Sequence, residues 1–344
     1  MTVGLTQQDA ALLSRAVELA AQGRLADPNP RVGAVILSAQ GEVVGEGWHH
    51  GAGTPHAEVV ALQAAGDRAS GGTAYVSLEP CSHEGRTPPC TRALLAAGVR
   101  RVVFAQADPS PVAGGGAELL RSQGIDVTGP VSGTGAEDLN RPWAFSAVHG
   151  RPFVTWKVGS TLDGRVAALD GTSRWITSAG ARADVHRRRA TAGAILVGTG
   201  TVLTDDPSLT VRDAEDRPVG VQPLRVVMGE RDVPADARVN GPGEVWHART
   251  HSAEVVLKTL QDKGIRHLWL EGGPTVAAAF LRAGLVDEAL VYVAPTLLGD
   301  GPSLVASLGV PTLSAAHHLE LLDIEQLGQD VRLRLRPRPV EGDL

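Results

Sequence analysis

A chain of 344 residues is long enough to form two domains, each able to bury a core of its own. Its 43% hydrophobic and 20% charged residues are typical of a globular protein, and a net charge of -6 disfavours a general nucleic-acid-binding surface, which needs clustered lysine and arginine. Residues 1–20 lack the charged start and apolar core of a signal peptide, and no apolar run approaches membrane-spanning length. We therefore expect a cytoplasmic protein that contacts neither nucleic acid nor a membrane.

Helices and strands alternate through the first half of the chain. The hydrophobic periodicity predicts helices over 6–22, 56–65, 91–98 and 116–123, and strands over 34–37, 42–48, 73–78 and 101–105. Gln40-Gly41 is a turn signal that pairs the first two strands. Such an alternation is typical of a sheet covered by helices.

The two cysteines of the chain, Cys81 and Cys90, follow the segment His56-Ala57-Glu58. An H-x-E segment followed by P-C-x-x-C is the signature of zinc-dependent base deaminases, and this chain has the same order with a longer spacing between its cysteines. One imidazole and two thiolates bind Zn²⁺ through three protein ligands and leave a fourth position for water, as in catalytic zinc sites. Glu58 is then the expected proton carrier of a hydrolytic deamination.

Two alternatives to a catalytic zinc remain at this point. A fourth protein ligand would close the site and make the zinc structural, and His49, His50 and His83 are the candidates. The cysteines could also be an ordinary reduced pair. A catalytic zinc site requires His56 and Glu58 to face the same metal, but side chains two positions apart diverge around a helix. His56 and Glu58 can face one metal only in the first, open turn.

The second half of the chain predicts another α/β domain. Periodicity is lost over 124–150, so we place the boundary between a domain at 1–148 and a domain at 149–344. Strands are predicted at 153–158, 194–198, 225–228, 268–270, 289–293 and 331–335, with helices near 179–190, 252–263 and 275–283.

Two glycine-containing segments are candidates for a cofactor loop. The segment 271–275 follows an apolar strand and opens an alanine-rich helix, so its backbone N–H groups could face a pyrophosphate or simply form a turn. Gly198-Thr199-Gly200 lacks the third glycine and the following helix of a dinucleotide fingerprint, so we do not expect a Rossmann domain. The basic run over 182–189 could hold a substrate phosphate or form a solvated helix face.

Four segments of the first half, 29–33, 45–49, 56–58 and 79–90, together resemble the bifunctional deaminase/reductase family of riboflavin biosynthesis. The resemblance implies a cytidine-deaminase-like α/β/α domain. It implies one Zn²⁺ held by His56, Cys81 and Cys90, with Glu58 as the catalytic proton shuttle. It also places three residues in the pyrimidine pocket: Asn29, His49 and His83.

The chain departs from the family pattern at two places in this domain. Ala34 stands where a cysteine is frequent, and the loop 108–116 is one residue shorter than usual. Neither departure removes a metal ligand.

The resemblance continues through the second half, at Lys157, 160–164, 173–177, 201–212 and 271–275. It implies a dihydrofolate-reductase-like α/β domain that uses NADPH. The implied cofactor contacts are Gly159, Trp175, Thr201, Asp205, Gly273, Pro274, Thr275, Val276, Ala277, Ala278 and Ala279. The implied substrate contacts are Ser173, Arg189, Leu209, Arg212 and Glu271, with Arg189 the predicted phosphate ligand of the basic run.

The activity that this resemblance implies has two steps on one phosphorylated pyrimidine. The first is zinc-dependent deamination of 2,5-diamino-6-ribosylamino-4(3H)-pyrimidinone 5′-phosphate, and the second is NADPH-dependent reduction of the ribosyl group to ribityl. A deaminase with an RNA-binding second domain and a structural-zinc protein with a vestigial reductase are the alternatives. Assembly into a homo-oligomer is left open.

Overall fold

The computed structural model of the protein describes residues 5–84, 88–111, 113–213 and 215–338. It divides the chain into two compact units, Met1–Gly150 and Arg151–Leu344. Residues 85–87 of the predicted zinc segment and Val112 of the loop 108–116 lie outside the described residues. None of the described helices combines the length and apolar character needed to span a bilayer.

The first unit is built on one mixed sheet. In chain order its strands are β1 (Gly33–Leu37), β2 (Val43–Trp48), β3 (Thr73–Leu78), β4 (Arg101–Gln106) and β5 (Asp126–Thr128). They lie in the order β2-β1-β3-β4-β5, with β1 antiparallel to both of its neighbours and β3, β4 and β5 parallel. The predicted pairing of the first two strands is confirmed.

Helices cover both faces of this sheet. They are α1 (Gln7–Ala21), α2 (Ala57–Ala65), α3 (Cys90–Ala96), α4 (Gly116–Ser122) and α5 (Ala136–His149), with a 3₁₀ turn at Gly66–Ala69. One apolar core joins α2, α3 and α4 to the sheet, and a second joins α1 and the start of α5 to the opposite face. The predicted α/β/α layering is therefore correct.

Glycines in β2 bring α2 close to the sheet. A Cβ on Gly45 would lie 2.1 Å from the Ala61 carbonyl oxygen, and one on Gly47 would lie 2.6 Å from the Ala61 nitrogen. Any larger residue would clash with the helix backbone. This close contact determines where the N-terminus of α2, and hence His56, is held.

The second unit contains a larger sheet. Its strands are β6 (Phe153–Thr161), β7 (Ala194–Gly198), β8 (Leu224–Met228), β9 (Val245–Ala248), β10 (His267–Leu270), β11 (Glu288–Ala294), β12 (Leu319–Leu327) and β13 (Asp330–Pro337). Among the described residues the order is β12-β13-β11-β6-β10-β7-β8-β9, and the strands from β11 to β9 are parallel.

Helices also cover both faces of the second sheet. They are α6 (Ala179–Arg189), α7 (Thr199–Asp205), α8 (Ala253–Asp262) and α9 (Pro274–Arg282), with 3₁₀ turns at Arg238–Asn240 and Leu313–Ala315. One core packs α8 and α9 on one face, and another packs α6 and α7 on the other. Because β6 to β9 are parallel, their carboxyl ends meet at one edge, where ligands of open α/β sheets bind.

Five elements differ from the prediction. A helix, α7, does follow Gly198-Thr199-Gly200, so the expectation of no helix there was wrong. Helix α5 occupies part of the stretch that appeared to lack periodicity, and β5, β9 and β12 were not predicted. Strand β9 pairs with β8 and β5 pairs with β4, both across intervening helices or loops, and such pairing is not visible in local periodicity.

Candidate active sites

His56 and Glu58 meet the geometric condition for sharing one site. His56 is the N-cap of α2, with extended backbone (φ -70, ψ 160), and Glu58 lies in the first turn. The side chain of Glu58 is buried with its residue only 3% exposed. Because His56 is outside the helical spiral, the two side chains can converge although they are two positions apart.

The three predicted zinc ligands lie together. The ligand atoms of His56, Cys81 and Cys90 are all within 4.8 Å of one another, and no further His, Cys, Asp or Glu of the described residues joins this group. His56 Nδ1 is 3.1 Å from Cys90 Sγ and 3.6 Å from Cys81 Sγ. Tetrahedral zinc with ordinary Zn–N and Zn–S bonds places such atoms about 3.5 Å apart. The donor set and its spacing therefore fit one Zn²⁺.

The environment of these groups favours a thiolate at Cys81 beside a protonatable carboxyl. Hydrogen bonds from Cys90 and then from His56 lower the pKa of Cys81, whereas the hydrogen bond to Cys81 and burial raise the pKa of Cys90. Burial raises the pKa of Glu58, and Cys90 is a hydrogen-bond partner of its carboxyl. A carboxyl group with a raised pKa near a metal site is suited to accept and return a proton.

His49, a predicted pyrimidine-pocket residue, lies beside His56, and Asn29, another, contacts His49. The His49 ring is 5.4 Å from the His56 ring in an edge-on contact. His49 Nδ1 is 3.0 Å from the Pro55 carbonyl oxygen, to which it must donate, so Nε2 accepts from Asn29 Nδ2 at 3.2 Å. Both ring nitrogens of His49 are thus engaged with groups other than a metal. Asn29 keeps its side-chain oxygen for a ligand.

The third pocket residue, His83, lies in the loop between the two cysteines. Its Nδ1 is buried and has no hydrogen-bond partner within the described residues. Asp108 is close enough for its charge to interact with His83 and Cys81, and burial raises the pKa of Asp108 to about 6. Sequence reasoning did not single out Asp108 as a site residue. Its position in the loop after β4, at a parallel strand end, was the available signal.

Gly116 allows the loop that carries Cys81 to lie close to α4. A Cβ on Gly116 would lie 1.7 Å from the Pro80 carbonyl oxygen, next to Cys81. Glu79 reinforces the same junction, because its carboxylate accepts hydrogen bonds from the Ala117 and Asp108 backbone nitrogens at 2.8 and 3.2 Å. The role of Glu79 is therefore to position the loop that carries Cys81.

Replacing Gly116 with alanine is expected to destabilise the first unit by about 1–3 kcal/mol, since the added methyl group must displace Pro80. Zinc affinity should fall as well, because Cys81 follows Pro80. Thermal unfolding and competition with a chromophoric chelator measure the two effects. Ser122→Ala, at the exposed end of the same helix, is the control, and unchanged zinc affinity in Gly116→Ala would contradict the proposed role.

The second unit has a cavity of about 970 Å³ at the carboxyl edge of its sheet. Most of the predicted reductase contacts line it: Gly159, Ser173, Trp175, Arg189, Thr201, Asp205, Leu209, Arg212, Glu271, Gly273, Pro274, Thr275 and Val276. Ala277, Ala278 and Ala279 do not line it. Ala277 and Ala278 of α9 are fully buried, and Ala277 packs in the core between α9 and the sheet.

A charged group lies at the β6 and β10 end of this cavity. Arg189 and Glu271 form a two-point ion pair, Nε to Oε1 at 2.6 Å and Nη2 to Oε2 at 2.7 Å. Arg189 also donates from Nη1 to the Thr210 carbonyl oxygen. Two of its five N–H groups remain for a substrate phosphate. The predicted phosphate ligand therefore shares its charge with a protein carboxylate.

Lys157 completes this group and was not chosen as a site residue from the sequence. Its Nζ is 3.8 Å from Glu271 Oε2, and burial lowers the pKa of Lys157. Its place among the residues that resemble the family was the signal that could have identified it. Lys157 faces the cavity, so it is placed to donate a proton to a bound ligand.

Glycines form the wall of the cavity where a cofactor would lie. Gly159, Gly200 and Gly273 all line it, and a Cβ on Gly273 would approach the Thr201 hydroxyl to 3.5 Å. Trp175 is 68% exposed, and the Arg182 guanidinium lies 4.4 Å from its ring centroid. A long cavity with backbone walls and an exposed aromatic ring fits an extended dinucleotide such as NADPH.

Two protein-family models match the chain. The model described as the RibD C-terminal domain matches residues 152–333, and the model of the cytidine and deoxycytidylate deaminase zinc-binding region matches residues 6–106. The riboflavin biosynthesis protein RibD of Mycobacterium tuberculosis is 48% identical over 316 residues, which cover 90% of this chain and 92% of that protein.

Solved structures agree with these matches. Acinetobacter baumannii RibD has a TM-score of 0.89 and 40% identity, covering 97% of this chain and 99% of its own. The Thermotoga maritima protein described as a diaminohydroxyphosphoribosylaminopyrimidine deaminase/5-amino-6-(5-phosphoribosylamino)uracil reductase has a TM-score of 0.83 and 32% identity, covering 96% and 99%. The resemblance seen in the sequence is confirmed. The chain belongs to the RibD family of riboflavin biosynthesis and is a bifunctional enzyme that joins a zinc-binding deaminase to an NADPH-dependent reductase.

Proposed function

We propose that the enzyme deaminates 2,5-diamino-6-ribosylamino-4(3H)-pyrimidinone 5′-phosphate in residues 1–148 and reduces the product in residues 149–344. The observation that carries the proposal is the placement of the His56, Cys81 and Cys90 group beside the buried Glu58, with a separate reductase cavity in the other unit. The activity named for the Thermotoga maritima relative supports the choice of substrate. We further propose that the enzyme works in the cytoplasm, where thiol ligands stay reduced.

In the deaminase unit, Glu58 is the proposed proton carrier. Zinc, when bound by His56, Cys81 and Cys90, lowers the pKa of water toward neutrality. Glu58 accepts the proton as the new C–O bond forms at the ring carbon that bears the amino group. It then delivers that proton to the leaving nitrogen, so that ammonia departs with the breaking C–N bond. Asn29 and His49 orient the ring.

In the reductase unit, Lys157 is the proposed proton donor. NADPH, when bound, supplies the hydride that reduces C1′ of the ribosyl group. As the bond from C1′ to the ring oxygen breaks, Lys157 protonates that oxygen and the sugar opens to a ribityl chain. Glu271 holds Lys157 and Arg189 in place through its two carboxylate oxygens. Arg189 and Arg212 are the proposed contacts to the substrate.

Following both half-reactions with the purified enzyme tests this function. With the diaminopyrimidinone phosphate alone, we expect stoichiometric ammonia release. Adding NADPH afterwards should lead to loss of its absorbance and formation of a ribityl product by mass spectrometry. Oxidation of NADPH without prior ammonia release would reverse the proposed order, and no ammonia release by the zinc-loaded enzyme would refute the deaminase assignment.

Replacing Lys157 with methionine is expected to slow reduction of the deaminated substrate by about 10²–10⁴-fold, the usual contribution of a general acid. Ammonia release should be unchanged. Burial lowers the pKa of Lys157, so its amine loses its proton at a lower pH than an exposed lysine does. The rate of reduction by the wild-type enzyme should therefore begin to fall at that lower pH. Lys258→Met, which removes a surface lysine paired with Asp262, is the control. Full reductase activity in Lys157→Met would show that another group supplies the proton.

A further inference from the structure

The arginines that line the reductase cavity differ in whether the protein gives their side chains a hydrogen-bond or ion-pair partner. Arg189 is paired with Glu271, and Arg212 is paired with Asp216 at 2.7 Å. Arg182 donates to the Thr177 carbonyl oxygen at 2.7 Å, and Arg174 donates to that of Asp205. These four guanidinium groups are held by acceptors of the same unit. Arg238 also lines the cavity, and its side chain has no hydrogen bond or ion pair within the described residues, but its charge interacts with that of Asp216.

Arg231 is different. It lines the cavity and is exposed, and the described part of the chain offers its side chain neither a hydrogen bond nor an ion pair. Asp232, the adjacent acid, is paired with Arg249 at 2.6 Å instead. Glu230 also lines the cavity. An arginine without a partner at the wall of a ligand cavity is available for an anion of the ligand.

The position of Arg231 along the sheet edge indicates which anion. The reacting end of the cavity lies at β6 and β10, where Lys157 and Glu271 face it, whereas Arg231 follows β8. Three strand spacings separate β6 from β8 in the order β6-β10-β7-β8, a distance of about 14 Å at about 4.8 Å each. A cofactor whose nicotinamide lies beside Lys157 therefore extends its adenosine end toward Arg231.

The loop that carries Arg231 is anchored from several sides. Gly229 turns sharply after β8 at φ +131, and its carbonyl oxygen lies 2.8 Å from His247 Nε2. Arg249 donates to the Glu230 carbonyl oxygen at 3.1 Å as well as pairing with Asp232. The backbone before and after Arg231 is thus held in place before any ligand binds.

Gly200 brings the guanidinium group against the cavity wall. A Cβ on Gly200 would lie 2.9 Å from Arg231 Nη2, so the absence of a side chain there leaves room for the arginine. NADPH differs from NADH by a 2′-phosphate on the adenosine ribose. A guanidinium group binds phosphate through two parallel charge-assisted hydrogen bonds. We propose that Arg231 binds the 2′-phosphate of NADPH and is the residue that makes this reductase select NADPH over NADH.

This inference rests on the proposed placement of the cofactor in the reductase cavity, so the experiment separates the two. Dissociation constants for NADPH and NADH are measured by fluorescence titration of the full-length enzyme and its variants, without turnover. Arg231→Gln is expected to weaken NADPH binding by about 10- to 100-fold, the worth of a hydrogen bond to a charged group, and to leave NADH binding unchanged. Without cofactor, the Arg231→Gln enzyme should unfold at the same temperature as the wild-type enzyme.

Three variants control the measurement. Lys263→Gln removes a surface cation of the same unit outside the cavity, and it should change neither constant. Glu230→Gln should not weaken NADPH binding; if it abolishes the preference while Arg231→Gln does not, the specificity residue is Glu230. Thr201→Trp fills the cavity and should weaken both cofactors. If Arg231→Gln leaves NADPH binding unchanged while Thr201→Trp weakens both cofactors, the role of Arg231 is overturned but the cavity remains the cofactor site. If neither variant changes cofactor binding, the role of Arg231 and the placement of the cofactor in the cavity are both overturned.

Discussion

Replacing Glu58 with glutamine should reduce ammonia release by about 10²–10⁴-fold, the contribution expected of a group that both accepts and returns the proton. Glutamine keeps the shape of the buried side chain but cannot carry a proton between water and the leaving nitrogen. Zinc content and reduction of the deaminated substrate should both be unchanged, because Glu58 is not one of the three grouped ligands and the reductase cavity lies in the other unit. Ammonia release under single-turnover conditions measures the effect directly.

The matched control for this variant is Glu118→Gln, which changes a carboxylate in the first turn of α4. It should deaminate at the wild-type rate. If Glu58→Gln keeps full deaminase activity, another group moves the proton, and Asp108, with its raised pKa, is the next candidate. If zinc is lost together with activity, Glu58 acts on the metal site rather than on the substrate.

Removing the zinc should abolish deamination and leave reduction intact. In the proposed mechanism the first step depends on a zinc ion bound by His56, Cys81 and Cys90, whereas the reductase cavity contains no part of that group. Cys90→Ala should have the same effect as a chelator. Because the ligand atoms come from three separate segments, the first unit should also lose stability without its metal. Differential scanning calorimetry with and without chelator measures this change.

The reductase assay on deaminated substrate is the internal control of the zinc experiment. NADPH oxidation at the wild-type rate in the chelated enzyme is the expected result. Restoring Zn²⁺ to the chelated wild-type enzyme should recover deamination, whereas Cys90→Ala should not recover. Deamination that persists in a metal-free preparation would refute the zinc-dependent mechanism.

The sequence predicted the chemistry of the first site better than its surroundings. Residue types and order were enough to select His56, Glu58, Cys81 and Cys90, because few functional groups bind zinc and fewer combine with a nearby carboxyl. Helix α5 shows the limit of such patterns. Gly133, Gly135 and Pro142 indicate a loop, yet residues 136–149 are helical.

Contacts between distant parts of the first unit explain why residues 136–149 are helical although their own sequence pattern indicates a loop. The Asn140 side chain accepts from the Arg31 backbone nitrogen at 2.9 Å and donates to the Arg31 carbonyl oxygen at 2.9 Å, although the two residues are 109 positions apart. These bonds hold α5 against the loop that carries Asn29. A helix stabilised by such contacts leaves little trace in its own periodicity.

The order and identity of the residues, taken alone, were sufficient to predict two α/β domains and the family, and they selected the residues that we propose as zinc ligands and proton carrier. Only the folded chain decided which charges are paired: Arg189 meets Glu271 across 82 positions, whereas Arg231 lies beside Gly200 and forms no ion pair within the described residues. The physical reason is that Coulombic attraction depends on distance in space, which the strand order of the sheet sets and spacing along the chain does not.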